Sequence, residues 1–200
     1  MPQTRLPTEE RQAEIVAAAL RLARNTSPSV ITTSEIAAAV GVTQGALFKH
    51  FPTKDAIWLA AMRWVHRELI TCLAGAARRA ATPRDALSAM FRAHVDFVTA
   101  HPGVPRFIFH ELQQPRDSAA KQEVRAVLQA YRVLLLDTLG QALRQRQVTQ
   151  DLDLEAAATT FVGLIQGLVM QSMLTDRPDS MTGQADRILI LYLRSLGESS

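Results

Sequence analysis

Cysteine is almost missing from this chain: Cys72 stands alone in 200 residues, which excludes an intrachain disulfide. Glycine and proline, at nine each, are too few for a collagen-like chain or a flexible linker. Residues 1–10 lack the apolar core of a signal peptide, so a reducing, cytoplasmic setting is expected. No run of alternating β-branched residues bounded by turn signals occurs, so strands are not expected. HxxxH, CxxC, HExxH, GxSxG and the phosphate-binding glycine loops are also absent, and Gly163-x-x-x-Gly167 has no Lys-Ser/Thr after it. His66, His94, His101 and His110 therefore read as ordinary core or surface histidines. The sequence offers no catalytic residue, no metal site and no cofactor site, and an enzyme is not expected.

What is present is a globular composition, 48% apolar and 20% charged, long enough to bury a full core. The net charge of +3 is unevenly placed: residues 1–80 hold ten Lys/Arg against six Asp/Glu, and the rest hold twelve against thirteen. A basic N-terminal module that meets phosphate fits this asymmetry. Within residues 1–55 the balance is only six against five, so placed cations must matter more than bulk charge.

Apolar residues recur at intervals of three and four, the helical period. Thr8, with Glu9 and Glu10 behind it, starts a helix that buries Ile15, Ala18, Ala19 and Leu22 and ends near Ser27-Pro28. Thr32 and Glu35 have the spacing of a capping box. A short helix to about Val40, a turn at Gly41, and a second short helix over 44–50 follow. Thr53 caps a long helix, 53–79, with a stripe of Trp58, Met62, Val65, Leu69, Cys72 and Ala76. Helices are further expected around Leu87–Val98, 105–113, 117–147 (Val124, Leu128, Tyr131, Leu135, Leu139), 153–174 and 184–196, with Gly197 as C-cap. The expected fold is all-α, with about nine helices.

Ala156–Thr175 runs twenty residues without a charge and contains a GxxxG, the signature of a transmembrane dimer helix. Scattered Thr159, Thr160, Gln166, Gln171 and Ser172, and acidic flanks without basic or aromatic anchors, argue against a span. A helix apolar on most of its circumference is more simply buried twice, by its own core and by a second subunit.

The sharpest signal is Thr32 to Lys54. Ile36, Ala37, Val40, Gly41, Val42 and Leu47 occupy the core and turn positions of a helix-turn-helix. Thr43, Gln44, Gly45, Phe48, Lys49 and His50 are left over on the second helix, and they combine base-edge donors, phosphate donors and a small residue. Lys54 opens the long helix, where the dipole disfavours a cation; a docked phosphate would explain it. The stretch resembles the DNA-binding domain of the TetR family of bacterial transcriptional regulators, through Thr32, Ile36, Ala37, Gly41, Val42, Thr43, Gly45, Ala46, Leu47, Phe48, His50, Phe51, Thr53 and Lys54. Two positions depart from the family pattern. Phe48 replaces a phosphate-contacting Tyr, and Ala46 replaces a Thr or Ser.

The resemblance implies a homodimeric regulator, released as a repressor from a palindromic DNA operator when a small hydrophobic effector fills a C-terminal pocket; an activator of the same fold is the alternative. The DNA-binding residues expected are Thr32, Thr33, Thr43, Gln44, Gly45, Ala46, Phe48, Lys49, His50 and Lys54. Residues 1–52 form the arm and DNA-binding domain, and 53–200 the ligand-binding and dimerisation domain, linked by helix 53–80 as a lever. Trp64, Phe91, His94, Phe107, His110, Tyr131, Gln166 and Met170 are expected to line the pocket. Phe161, Gly163, Gly167, Met170, Leu174, Ile188, Tyr192 and Leu196 are expected at the dimer interface.

Overall fold

A computed structural model describes residues 8–175 and 178–197. The N-terminal arm before Thr8 and the Asp176–Arg177 flank lie outside the described residues. Among those described there are nine helices and no strand: α1 (Thr8–Leu22), α2 (Thr33–Ala39), α3 (Gln44–Phe48), α4 (Lys54–Arg78), α5 (Pro83–Ala100), α6 (Gly103–Gln113), α7 (Ala119–Arg144), α8 (Leu154–Thr175) and α9 (Pro178–Ser195). The expected boundaries shift where caps decide them. The seventh helix begins at Ala119 rather than at 117, because Ser118 caps it, its Oγ accepting the Lys121 N–H at 2.9 Å. The Asp153 carboxylate caps α8 by accepting from the N–H groups of Glu155 and Ala156, at 3.0 Å each. Gly103, expected in a loop, is the first residue of α6.

By packing, the chain forms two compact units, residues up to His66 with His101–Arg125, and Arg67–Ala100 with the chain from Ala126 onward. This division follows contacts and is distinct from a functional boundary at residue 52.

The first unit is built on Ile15, Ala18, Ala19, Ile36, Ala37, Leu47, Ile57, Met62 and Phe107, all nearly inaccessible. The Trp58 and Phe107 rings stack at 4.7 Å, and Trp64 meets the His101 ring edge-on at 5.0 Å. Here α6 meets α1 at very short range. A Cβ added to Gly103 would lie 1.9 Å from the Leu20 carbonyl oxygen, and Arg106 Nε donates to the Arg24 carbonyl at 3.2 Å.

The second unit is centred on aromatic rings. Phe161 packs edge-on against Phe91, Tyr131 and Tyr192, with centroids 5.4, 6.2 and 5.4 Å away. The Tyr192 hydroxyl donates to the Ala157 carbonyl at 3.0 Å and thereby ties α9 to α8. Periodicity placed two residues wrongly here: Cys72 and Leu128 are exposed, and Leu73 and Val127 are buried instead. In α4 a strict alternation of four and three drifts off a helix of 3.6 residues per turn, so the stripe moves on from Cys72 to Leu73; in α7 the steps of three and four from Val124 to Val127 and Tyr131 are the ones that stay on the buried side.

Arg84 closes this unit. Its Nη1 donates to the carbonyls of Gln147 and Gly197, and its Nη2 to that of Leu193, each at 2.8 Å. A guanidinium fork thus satisfies acceptors at the end of α9 and in the turn after α7. Arg84→Ala should lower unfolding free energy by about 2 kcal/mol in urea titration, because charge-assisted bonds are lost and part-buried carbonyls are left unpaired. Lysine at this position should recover only part of the loss, since an ammonium lacks the fork.

Candidate nucleic-acid interface

The helix-turn-helix assembles as its sequence requires. Thr32 Oγ1 accepts the Glu35 N–H at 3.2 Å, and the Glu35 carboxylate accepts from the Thr32 N–H at 2.7 Å and its hydroxyl at 2.8 Å. These bonds hold the Glu35 carboxyl below the usual carboxylate range. The Thr32 hydroxyl is consequently spent inside the capping box: it is a cap, and its proton is not available to a phosphate. At the other end of α2, Val42 N–H bonds the Ala37 carbonyl at 3.0 Å and Gly41 N–H bonds that of Ala38 at 3.1 Å. This is a Schellman turn, with Gly41 at φ 68°, a conformation that a side chain disfavours. Thr43 then caps α3 by accepting the Ala46 N–H at 3.2 Å.

With Leu47 buried, α3 turns its other residues outward. Thr43, Gln44, Gly45 and Lys49 are exposed, Phe48 is 42% exposed, and Ala46 and His50 are half-buried. The five residues of α3 include no acid. No described residue lies within 4 Å of a Cβ added to Gly45, so the described residues give no steric reason for glycine there. Gln44 Nε2 donates to Thr33 Oγ1 at 2.7 Å, which links the start of α3 to the start of α2. Gln12 Nε2 donates to the His50 carbonyl at 3.2 Å, bracing the far end of α3 from α1. His50 Nδ1 is buried without a hydrogen-bond partner among the described residues.

Lys54 differs from the simple expectation of a free ammonium. Its Nζ donates to the Ser29 carbonyl at 2.9 Å, leaving two of its three donors for an anion. Burial lowers its pKa, with Asp55 and Glu35 acting in the opposite direction. Thr53 Oγ1 accepts the Ala56 N–H at 3.1 Å, so one of the free amides at this helix end is also taken.

The bacterial regulatory proteins of the tetR family match residues 15–61, and the tetracyclin repressor-like C-terminal domain matches 111–187. The chain belongs to the TetR family of bacterial transcriptional regulators. It is a DNA-binding transcriptional regulator with the all-α fold of that family. The HTH-type transcriptional regulator BetI of Rhizobium meliloti (strain 1021) is 29% identical over 181 residues, which cover 90% of this chain and 86% of BetI. The fold is also that of the fatty acid degradation regulator FadR from Bacillus halodurans, with a TM-score of 0.83 at 19% identity, covering 98% of this chain and all of that one. FadR from Bacillus subtilis, solved in complex with stearoyl-CoA, gives a TM-score of 0.78 at 18% identity over 90% of this chain and 97% of that one.

The residues expected to line a ligand pocket are only partly brought together. Phe91, His94 and Tyr131 form one cluster in the second unit, where His94 Nδ1 lies 3.2 Å from the Tyr131 hydroxyl. Desolvation pulls the His94 pKa down to about 4 and pushes that of Tyr131 well up. Both are neutral at pH 7. Gln166 and Met170 do not join them; they lie exposed on α8. Trp64, Phe107 and His110 belong to the first unit. There His110 lines an open cleft of about 620 Å³ together with Lys54, Trp58, Glu111 and Arg116.

The expected dimer residues divide in the same way. Phe161, Tyr192 and Leu196 are buried in the protomer's own core, and Ile188 is half-buried. Gly163, Met170 and Leu174 are exposed and Gly167 is half-buried; Ile190 and Leu191 of α9, which periodicity does not single out, are exposed in the same unit. Among the described residues α8 is the one helix long and apolar enough to cross a membrane. It turns Ala157, Ala158, Phe161, Ile165, Leu168 and Val169 to the interior of this unit and leaves its other side half-buried or exposed.

Proposed function

We propose that this protein is a homodimeric, ligand-responsive repressor that leaves a palindromic operator when an apolar effector binds. The observation that carries the reading is the acid-free outer side of α3, with Gln44, Gly45, Phe48 and Lys49 exposed. Residues 8–52 hold the DNA-binding function, extended by Lys54 at the start of α4, and the chain from 53 otherwise serves the effector and dimer functions. Thr33, Thr43, Gln44, Gly45, Ala46, Phe48, Lys49, His50 and Lys54 face DNA, with Thr32 contributing as a cap. Two subunits join through the outer sides of α8 and α9, where Met170, Leu174, Ile190 and Leu191 leave apolar surface uncovered. No described residue lies within 4 Å of a Cβ at Gly163 or Gly167, which leaves room for a second backbone to approach. The effector enters near Phe91, His94 and Tyr131, and α4, continuous from Lys54 to Arg78, carries the response. A fatty acyl thioester is the first class to test, given the ligand in the Bacillus subtilis FadR structure.

Footprinting on the DNA flanking the protein's own gene, with and without stearoyl-CoA, tests this directly. Protection of two half-sites one helical turn apart is expected. Absence of any protected site would overturn the repressor reading, and protection that persists in stearoyl-CoA would overturn that effector. Lys54→Ala should weaken binding on all sequences alike and reduce the salt slope of log K by about one.

A further inference from the structure

We infer that Thr33 is a positioning residue for base readout, fixing the Gln44 carboxamide so that its carbonyl oxygen is presented to the DNA base. The inference rests on the DNA-facing role of α3 given above. The Gln44 side chain is exposed, and its one hydrogen bond to a described residue is that from Nε2 to Thr33 Oγ1, at 2.7 Å across eleven residues of sequence. An exposed glutamine normally samples many rotamers, and its amide can turn over to present either edge. The bond to Thr33 removes much of that freedom.

A hydroxyl alone does not fix the sense of such a bond, since it can donate or accept. DNA supplies the missing constraint. Thr33 opens α2, and its hydroxyl hydrogen is not used by Gln44. Phosphate oxygens at neutral pH only accept. Once the Thr33 hydroxyl donates to a phosphate, its oxygen can only accept from Gln44, so the amide NH₂ must face Thr33. The chain of donors then runs from the Gln44 N–H to Thr33 and on to the phosphate. The carbonyl Oε1 and the second N–H are left for the base. That pair of groups complements adenine, which offers the N6 donor and the N7 acceptor in the major groove. Guanine offers two acceptors there and would face the carbonyl oxygen with O6. A backbone contact and a base contact are thereby coupled through one hydroxyl.

The test is selection from random duplexes with the full-length protein, followed by sequencing of the bound pool. Gln44→Ala should flatten one position in each half-site and so locate the base that Gln44 reads. At that position the wild type should prefer adenine. Thr33→Val, which keeps the shape and removes the hydroxyl, should reduce the adenine preference there about fivefold while leaving the rest of the site recognisable. Thr33→Ser, which restores the hydroxyl, should restore the preference. Unchanged selectivity in Thr33→Val, or an even loss over all positions, overturns the positioning role, because a plain phosphate contact or a folding defect would act uniformly. Selection of no sequence by the wild type would overturn the DNA-binding reading itself, and this inference with it.

Discussion

Gly103→Ala is expected to destabilise the protein by about 3 kcal/mol and to abolish DNA binding at temperatures the wild type tolerates. The added methyl carbon would sit 1.9 Å from the Leu20 carbonyl oxygen and 3.2 Å from the Arg24 amide nitrogen. Both neighbours are backbone atoms of α1 and the turn that ends it, so no side chain can swing aside. Relief requires α6 and α1 to separate. Separation would break the Arg106 bond to the Arg24 carbonyl and open the core around Ala19, Ala23 and Val104. Because α1 also braces α3 through Gln12, displacing α1 disturbs the recognition helix without touching it. Thermal melts followed by helicity, with operator binding on the same samples, check both halves of the expectation. Gly45→Ala is the matched control. It meets open space, so it should leave the melt unchanged or slightly raised, and lower DNA affinity only if the base stack approaches α3 closely. Equal melting of Gly103→Ala and wild type would show that α1 and α6 do not meet as closely as described.

This pair of glycines also shows what a sequence can and cannot disclose. Local rules sufficed for the capping box of Thr32 and Glu35, the positive φ at Gly41 and the burial of Ile36, Ala37 and Leu47, since each depends on residues a few positions away. Gly103 follows a proline and looks like a helix breaker, yet its role is set by Leu20, more than eighty residues distant. Arg84 is similar: its three acceptors come from Gln147, Leu193 and Gly197. Lys54 was recognisable as a misplaced cation, but its bond to Ser29 is a tertiary event. On α8 and α9 the apolar pattern covers most of the circumference, so periodicity could not separate the inward Phe161 and Tyr192 from the outward Leu174 and Leu191. The family resemblance carried the function, and the structure adds which of the expected residues are exposed and which are already engaged, as Thr32 is in its capping box and Lys54 with Ser29.

Acidification from pH 7.5 to pH 5 should cost the wild type about 2 kcal/mol of stability through His94 alone. The ordinary histidine pKa of 6.5 applies to the unfolded chain, whereas desolvation in the aromatic cluster holds the folded value at about 4. Between those values the unfolded chain takes up a proton that the folded protein refuses. The contribution is therefore intact above about pH 7, falls as pH drops through 6.5, and falls no further below 4, where both states are protonated. Glu35, Asp117 and Asp151 also have lowered pKa values, but theirs act at and below the ordinary carboxylate values of 4.5 and 3.8, outside this window. His94→Gln separates the terms. An amide keeps a hydrogen bond within reach of the Tyr131 hydroxyl and does not titrate, so the variant should start about 1 kcal/mol less stable at pH 7.5 and lose about 2 kcal/mol less than wild type on the way to pH 5. Urea titrations of both proteins at half-unit pH steps give the comparison. Parallel pH profiles would mean that the His94 ring takes its proton without unfolding, and that the space around Phe91 and Tyr131 admits water or a polar ligand group beside it.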